Sequence, residues 1–496
     1  MDPTLAVDVG YPILTVLVFL PMLGCLALLL LRGERLIRWT SLVTTTATLI
    51  LALPLLSAFD KSTHQMQFVE THPWIPTWGI EYSVGVDGIS VLFVVLSALL
   101  GVLCVAVSWQ AIEVRVKEFF LALLVMETAM IGVFVSLNLF LFFVFWELML
   151  IPMFLLIGVW GGSNRVYAAI KFVLFTLAGS VFMLIGIIVL YHSAGGTFDF
   201  RALAETRLPT GLQLWLFFAF FAAFAVKVPM FPLHTWLPDA HTEAPTAGSV
   251  ILAGILLKMG AYGFVRLSLP LFPDAVDLLI VPMMILSLAA IIYGGYVTLT
   301  QSDVKRLIAY SSVSHMGFVT LGIFTVSSAG VEGGILQMIN HGIVTGALFL
   351  CVGIIYERTH TREIEDYGGL SRLAPVFATY LGIFTLAAIG MPGMNTFIGE
   401  FLVISAAFEV AAIYGAFAIV GVLLGVTYMC WLFYRLVMRE ARPKMEETVV
   451  DLGPREVLLL APLVVLVILI GVQPDLVLSY MHASVEHLLG QMGAAG

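Results

Sequence analysis

Five charged side chains stand inside long apolar runs: Glu127 in LLVMETAMIG, Glu147 in FVFWELMLIP, Lys227 in FAAFAVKVPMFP, Lys258 in AGILLKMGAYG and Glu400 in NTFIGEFLVI. A charge at the middle of a bilayer costs about 2.5–3.5 kcal/mol on insertion scales. Together the five exceed the net stability of a typical domain, so they must be paired, hydrated or useful. Structural ion pairs that lock helices are the plain reading of any single one. For the set that reading is weak, because apolar replacements would usually pack as well.

Histidines extend the pattern. His234 and His241 lie in PLHTWLPDAHTEAP, His315 in IAYSSVSHMGF and His341 in LQMINHGIVTG. Gln337, His341 and Thr345 recur every four residues and so share one helix face. A lone histidine there is more often a satisfied core group. A polar stripe on an apolar helix, however, must face protein or water, and imidazole titrates near neutral pH, which suits a proton relay. The histidines are scattered over different segments, which argues against a metal site. Sodium would want grouped carboxylates and carbonyls; lysines dominate this axis, which favours protons. The cysteines (Cys25, Cys104, Cys351, Cys430) lie in apolar runs without C-x-x-C spacing, so disulfides, zinc and iron–sulfur ligation are unsupported.

Helix breakers sit beside the charges. Pro229 and Pro232 follow Lys227 and would free the carbonyls of Ala225 and Val228; Pro392, ahead of Glu400, would free that of Ala388. Freed carbonyls should face a hydrated interior. Two interrupted helices in corresponding positions point to inverted repeats with a site near the midplane.

The elements that must carry these groups follow from composition. The chain has 496 residues, 60% hydrophobic and 11% charged, with net charge −9. Soluble domains hold about 25% charged residues, so a soluble enzyme, a disordered chain and a nucleic-acid binder are excluded. Apolar runs of spanning length predict an all-α polytopic membrane protein of about fourteen helices, centred near Phe19, Ile50, Ser97, Met126, Leu148, Gly179, Phe221, Leu256, Leu286, Gly317, Thr345, Ile389, Gly421 and Val464. The seventh, eighth and twelfth are interrupted or short, and only a short turn around Asn138 joins the fourth to the fifth. The expected organisation is a three-helix segment over 1–110, two inverted five-helix repeats over 111–270 and 271–437 with the seventh and twelfth helices equivalent, and a loop with the last helix over 438–496. Residues 60–85, with Trp74 and Trp78, form either a hairpin or an interfacial cap. Most Lys and Arg, from Arg32 to Arg455, fall on one side; the other keeps Lys61, Arg201, Arg207 and Arg266. That asymmetry puts both termini outside, on the periplasmic side of an inner membrane. The acidic start, MDPTLAVDVGYP, lacks the basic region of a signal peptide.

The stretch AVKVPMFPLHTWLPDAHTEAPTAGSVILAGILLKMGAYG resembles the signature of the antiporter-like subunits of proton-pumping NADH–quinone oxidoreductase, respiratory complex I. FFVFWELMLIPMFLLIGVWGG, SDVKRLIAYSSVSHMGF and the INHG run resemble further blocks of that family, and the likeness covers nearly the whole chain. Mrp-type Na⁺/H⁺ antiporters and membrane-bound, energy-converting hydrogenases share the signature and stand as alternatives. The resemblance implies that Glu147 pairs with Lys227, that Lys258 is central to a hydrophilic axis, that His241, His315 and His341 are relay members, and that Glu400 is the terminal proton carrier. An acid at Glu400 sets this chain apart from the family's other subunits, which usually carry lysine there. Glu127 matches no family role, and that of His234 stays open. The resemblance also implies a chain without cofactor of its own, with FMN, iron–sulfur clusters and quinone in the partner subunits of the membrane and peripheral arms. The implied order of transfer is Lys227, Lys258, relay histidines and waters, then Glu400. Small residues flanking Lys258 (Gly254, Gly260, Gly263) allow close helix contact, within the bundle or with a neighbouring subunit.

Overall fold

The computed structural model describes residues 10–493, so most of the acidic amino-terminal stretch lies outside the described residues. The chain opens with α1 (Ile13–Leu30) and α2 (Glu34–Ser57), then a hairpin of β1 (Gln67–Ile75) and β2 (Ile80–Val86), then α3 (Val91–Ala111). Of the two expectations for 60–85, the hairpin is the one formed. Its strands are antiparallel, with Thr71 opposite Ser83. Next come α4 (Val116–Val135), α5 (Leu139–Trp160) and α6 (Arg165–Ser193). The turn between α4 and α5 forms because the Asn138 side chain accepts from the amides of Phe140 and Leu141, capping α5.

The seventh segment is split, as the prolines predict, into α7 (Thr210–Lys227) and α8 (Trp236–Glu243). The eighth is one helix, α9 (Thr246–Leu271), with wider π-type turns over Leu252–Leu256 and Phe264–Ser268. Then follow α10 (Pro273–Leu299), α11 (Val304–Ile323) and α12 (Ser328–Thr359). The twelfth segment is split at Pro392 into α13 (Pro375–Ala388) and α14 (Asn395–Val410). After α15 (Ala412–Met438) and α16 (Pro454–Val472) a further helix, α17 (Asp475–Gln491), was not foreseen from sequence. It mixes polar and apolar residues and gives no spanning signal.

Twelve helices among the described residues are long and apolar enough to cross a membrane. The more polar α11 and the pair α13–α14 take the remaining two places. In α9 and α12 the most apolar windows are 94% and 100% buried, against 28% in α16 and 39% in α6. The helices that carry Lys258 and His341 are therefore the most enclosed of the bundle. Around them, side chains such as Leu174, Trp215 and Leu458 are exposed, as a lipid-facing wall requires.

The break after α7 differs from the sequence expectation in one respect. The Ala225 carbonyl is not free: the Met230 amide reaches back to it at 2.8 Å. That wider turn leaves the Val226 carbonyl without its usual partner, and the Trp236 indole N–H fills the place at 2.9 Å. Trp236 is fully buried, so the bond cannot be exchanged for water. Trp236→Phe should therefore cost about 1–3 kcal/mol, measurable as a lowered unfolding midpoint of the purified protein.

Candidate functional site

The end of α8 is held by its surroundings. Its last carbonyls have no helical partners. His241 O accepts from Ser249 Oγ at 3.0 Å, Glu243 O from the Gly162 amide at 2.9 Å, Thr242 O from Arg362 and Ala244 O from Lys305. Two cations thus complement the negative end of the helix dipole. Lys305, one of the cations counted on the Lys/Arg-rich side, is 8% exposed and buried against α8. The sequence carries no mark of this, because the carbonyl it serves lies 61 residues away.

α9 and α12 meet at glycines. A Cβ on Gly342 would stand 2.8 Å from the Gly254 carbonyl, and one on Gly260 would stand 2.7 Å from the Phe224 carbonyl of α7. The small residues around Lys258 thus serve contacts inside the bundle. The approach brings Lys258 Nζ to 2.6 Å from Nδ1 of His341, and the same amine donates to the Ala253 carbonyl in the π-type turn. Lys258 is 0% and His341 3% exposed. One hydrogen bond joins the pair, with an ammonium donating to a neutral imidazole or an imidazole donating to a neutral amine. A proton can cross it without movement of heavy atoms.

His341 Nε2 has no partner in the protein. It faces the neighbourhood of His315 on α11, with ring centroids 5.9 Å apart. That is too far for a direct bond. A small cavity adjoins both rings, lined also by Ser311, Gln337, Thr345, Ala388 and Thr396 and with room for about one water. Gln337, His341 and Thr345 all line it, as the four-residue stripe predicts. Beyond it, His315 Nδ1 lies 3.4 Å from Glu400 Oε1 on α14, and Gln337 Nε2 donates to the same oxygen at 3.3 Å. A second cavity of similar size lies between Glu400, His315, Ser314 and Tyr428. Ala388, the last residue before the Pro392 break, borders both cavities.

Tyr428 on α15 was missed from sequence. Its hydroxyl is 3.4 Å from His315 Nε2, so His315 is bracketed by an acid and a phenol. One tyrosine in an apolar run gives no signal of its own; only the fold brings it 113 residues back to His315.

The other expected members are less directly joined. Lys227 is 2% exposed at the end of α7, its amine 4.9 Å over the Trp146 ring. Glu147, beside Trp146 at a kink in α5, acts on it electrostatically. The expected ion pair is open: no Lys227–Glu147 contact within 4.0 Å occurs among the described residues. Nor does a hydrogen bond join Lys227 to Lys258. His241 is fully buried, stacked 4.8 Å from the Phe349 ring, with neither nitrogen bonded. It lies within electrostatic reach of Lys258 and Lys305 rather than in the bonded line. His234 sits among Phe231, Tyr293 and Tyr310. Glu127 is 1% exposed on α4 against Gly101, its oxygens without partners in the protein.

The profile described as NADH:quinone oxidoreductase/Mrp antiporter, TM, matches residues 136–425. The chain is 48% identical over 495 residues to NADH-quinone oxidoreductase subunit M of Rhodobacter capsulatus, with 96% of each chain covered. Among solved structures it resembles a chain of respiratory complex I from Thermus thermophilus with bound NADH. There the TM-score is 0.88 at 32% identity, over 97% of this chain and 100% of that one. A chain of the Mrp complex from Dietzia sp. shares the fold, with a TM-score of 0.82 at 20% identity over 97% of this chain and 55% of that one.

Proposed function

The chain belongs to the family of NADH:quinone oxidoreductase and Mrp antiporter membrane subunits, and we propose that within it this is the M-type, proton-translocating membrane-arm subunit of an NADH–quinone oxidoreductase. It is a multi-pass membrane protein of a respiratory complex, and its partners are the other membrane-arm and peripheral-arm subunits. Electrons would pass from NADH to quinone through FMN and iron–sulfur clusters in those partners, and this chain would spend the energy released on moving protons. The antiporter alternative has less support, since likeness to the Mrp chain is in fold and covers 55% of that chain.

One observation carries the reading: Lys258, His341, His315 and Glu400 form an enclosed line, joined by contacts of 2.6 and 3.4 Å and one water-sized gap. Lys227 and the nearby Glu147 would supply the switch. Two unit charges at 4 Å attract by about 4 kcal/mol at an effective dielectric of 20. Moving one charge against 100 mV costs about 2.3 kcal/mol. Closing the open Glu147–Lys227 pair would hold a proton on the lysine, and reopening it would release that proton toward Lys258. His241, beside Lys258 and Lys305, would tune that step.

Two five-helix halves over 111–270 and 271–437 would lie in opposite orientations, each with one broken helix, between a three-helix segment over 1–110 and the loop with the last helix over 438–496. Both termini would lie on the periplasmic side of an inner membrane. The hairpin and α17 share one face, where Lys61 Nζ donates to Ser479 at 3.1 Å. The opposite face gathers cations, among them Lys171 on Asp239 and Arg358 on Glu456, each at 2.7 Å. That distribution supports the orientation.

In purified, reconstituted complex, Glu147→Gln should leave NADH–quinone electron transfer partly alive. Protons pumped per NADH should fall by the share that this subunit carries. An unchanged ratio would count against the role of Glu147.

A further inference from the structure

Lys258 also heads a second file of polar groups that the proposed path does not use. Lys258, Tyr262 and Arg266 recur every four residues and share one face of α9. From Lys258 this face runs to the hairpin end of the bundle. Tyr262 is 2% exposed; its hydroxyl donates to the Phe134 carbonyl at 3.4 Å and accepts from Arg266 Nε at 3.1 Å. Arg266 goes on into an ion pair with Asp87. Asp87 is fixed in turn by the amides of Ile89 and Ser90, each at 3.1 Å. The adjoining Gly88 amide donates to Ser484 of α17 at 3.1 Å, which straps that helix across the end of the file. Aromatic rings wall it: Phe134 meets Tyr262 edge-on at 5.1 Å and stacks on Phe93 at 5.0 Å.

The order of the groups decides what the file can do. A proton arriving from the hairpin face meets Asp87, then a guanidinium that cannot give up its own proton, then a phenol enclosed by rings, and only then Lys258. A fixed guanidinium does not relay protons; it repels them, as in water-filled pores that exclude protons. We propose that Tyr262, Arg266 and Asp87, strapped by α17, form an electrostatic seal that closes the Lys258–His341 centre to the hairpin face. Protons then reach that centre only from the Lys227 side or along the His315–Glu400 line. The inference rests on the pumping role proposed above, since only a chain that carries protons needs such a seal. Arg266 lies about 12 Å of helix beyond Lys258. With Asp87 left in place, removing the Arg266 charge at that range, in an effective dielectric of 20, eases entry of a cation at Lys258 about tenfold.

The test is passive. Complex carrying Arg266→Gln, reconstituted in vesicles with an internal pH dye and given a potassium diffusion potential without NADH or quinone, should admit protons at least about tenfold faster than wild type. Arg266→Lys keeps the charge and should stay tight. Wild-type tightness in fully assembled Arg266→Gln complex would overturn the seal, as would a leak through Arg266→Lys equal to that of Arg266→Gln. If Arg266→Gln does not assemble, Arg266→Gln combined with Asp87→Asn, which leaves no unpaired buried carboxylate, is read the same way. Faster influx then supports the seal, and unchanged influx overturns it. NADH-driven proton movement by wild-type complex in the same vesicles tests the pumping role separately, because passive flux needs no redox partner.

Discussion

Lys258→Met should abolish proton translocation through this subunit while leaving the bundle assembled. Lys258 is wholly enclosed, and its amine has two bonding partners, His341 Nδ1 and the Ala253 carbonyl. Methionine keeps most of the volume but carries no proton. No carboxylate pairs with Lys258 among the described residues, so its replacement by a hydrophobe of similar size removes the cost of burying the amine without stranding an opposite charge. Against that, His341 and Ala253 each lose a partner, at about 1–3 kcal/mol. The two effects roughly cancel, so the amount of assembled complex should stay near wild type. Proton flux at fixed electron flow should fall by about a hundredfold or more, the scale of losing a positioned proton-transfer group. The measurement is protons moved per NADH oxidised in vesicles, which should drop by this subunit's whole share of the total, beside native-gel assembly. Retained stoichiometry with reduced stability would show that Lys258 only holds helices together.

Glu400→Gln should give the second largest loss, by a different route. The amide keeps the shape and can still meet Gln337 and His315, so packing of α14 against α12 should survive. It cannot take up and release a proton, so the line would stop at His315. A fall of about a hundredfold in flux through this subunit is expected. Glu400→Asp keeps the acid but draws it back by one methylene from His315, and should retain part of the flux. Near-wild-type flux in the Gln variant would mean that the carboxyl acts through hydrogen bonding alone. Glu400 would then not be the terminal carrier.

Much of this site was legible before any fold was known. Glu147, Lys227, Lys258 and Glu400 announced themselves because a charge in an apolar run is a local feature with a large cost. The breaks after Lys227 and ahead of Glu400 were legible for a similar reason: proline removes a donor wherever it stands. The Gln337–His341–Thr345 face followed from helical periodicity, and it does line a cavity. Less legible were the ways a disturbed backbone repairs itself. Proline marks where a bond is lost but not who replaces it. The Ala225 carbonyl was recovered by the Met230 amide, and that of Val226 by an indole ten residues on. Lys305 counts among the loop cations of one side, yet its amine serves the end of α8, 61 residues back.

By itself, the sequence determined that the chain spans a membrane, where its helices break and which groups carry charge at depth, because these follow from composition and spacing along one strand of chain. Only the tertiary structure decided who meets whom. Lys258 finds His341 across 83 residues because Gly254 and Gly342 let two helices touch. His315 stands between Glu400 and Tyr428 because α14 and α15 turn those faces toward α11. Arg266 reaches Asp87 because α9 ends beside the loop after the hairpin. Each contact depends on the rotation and approach of packed helices, a sum of many small contacts that no single stretch of sequence contains.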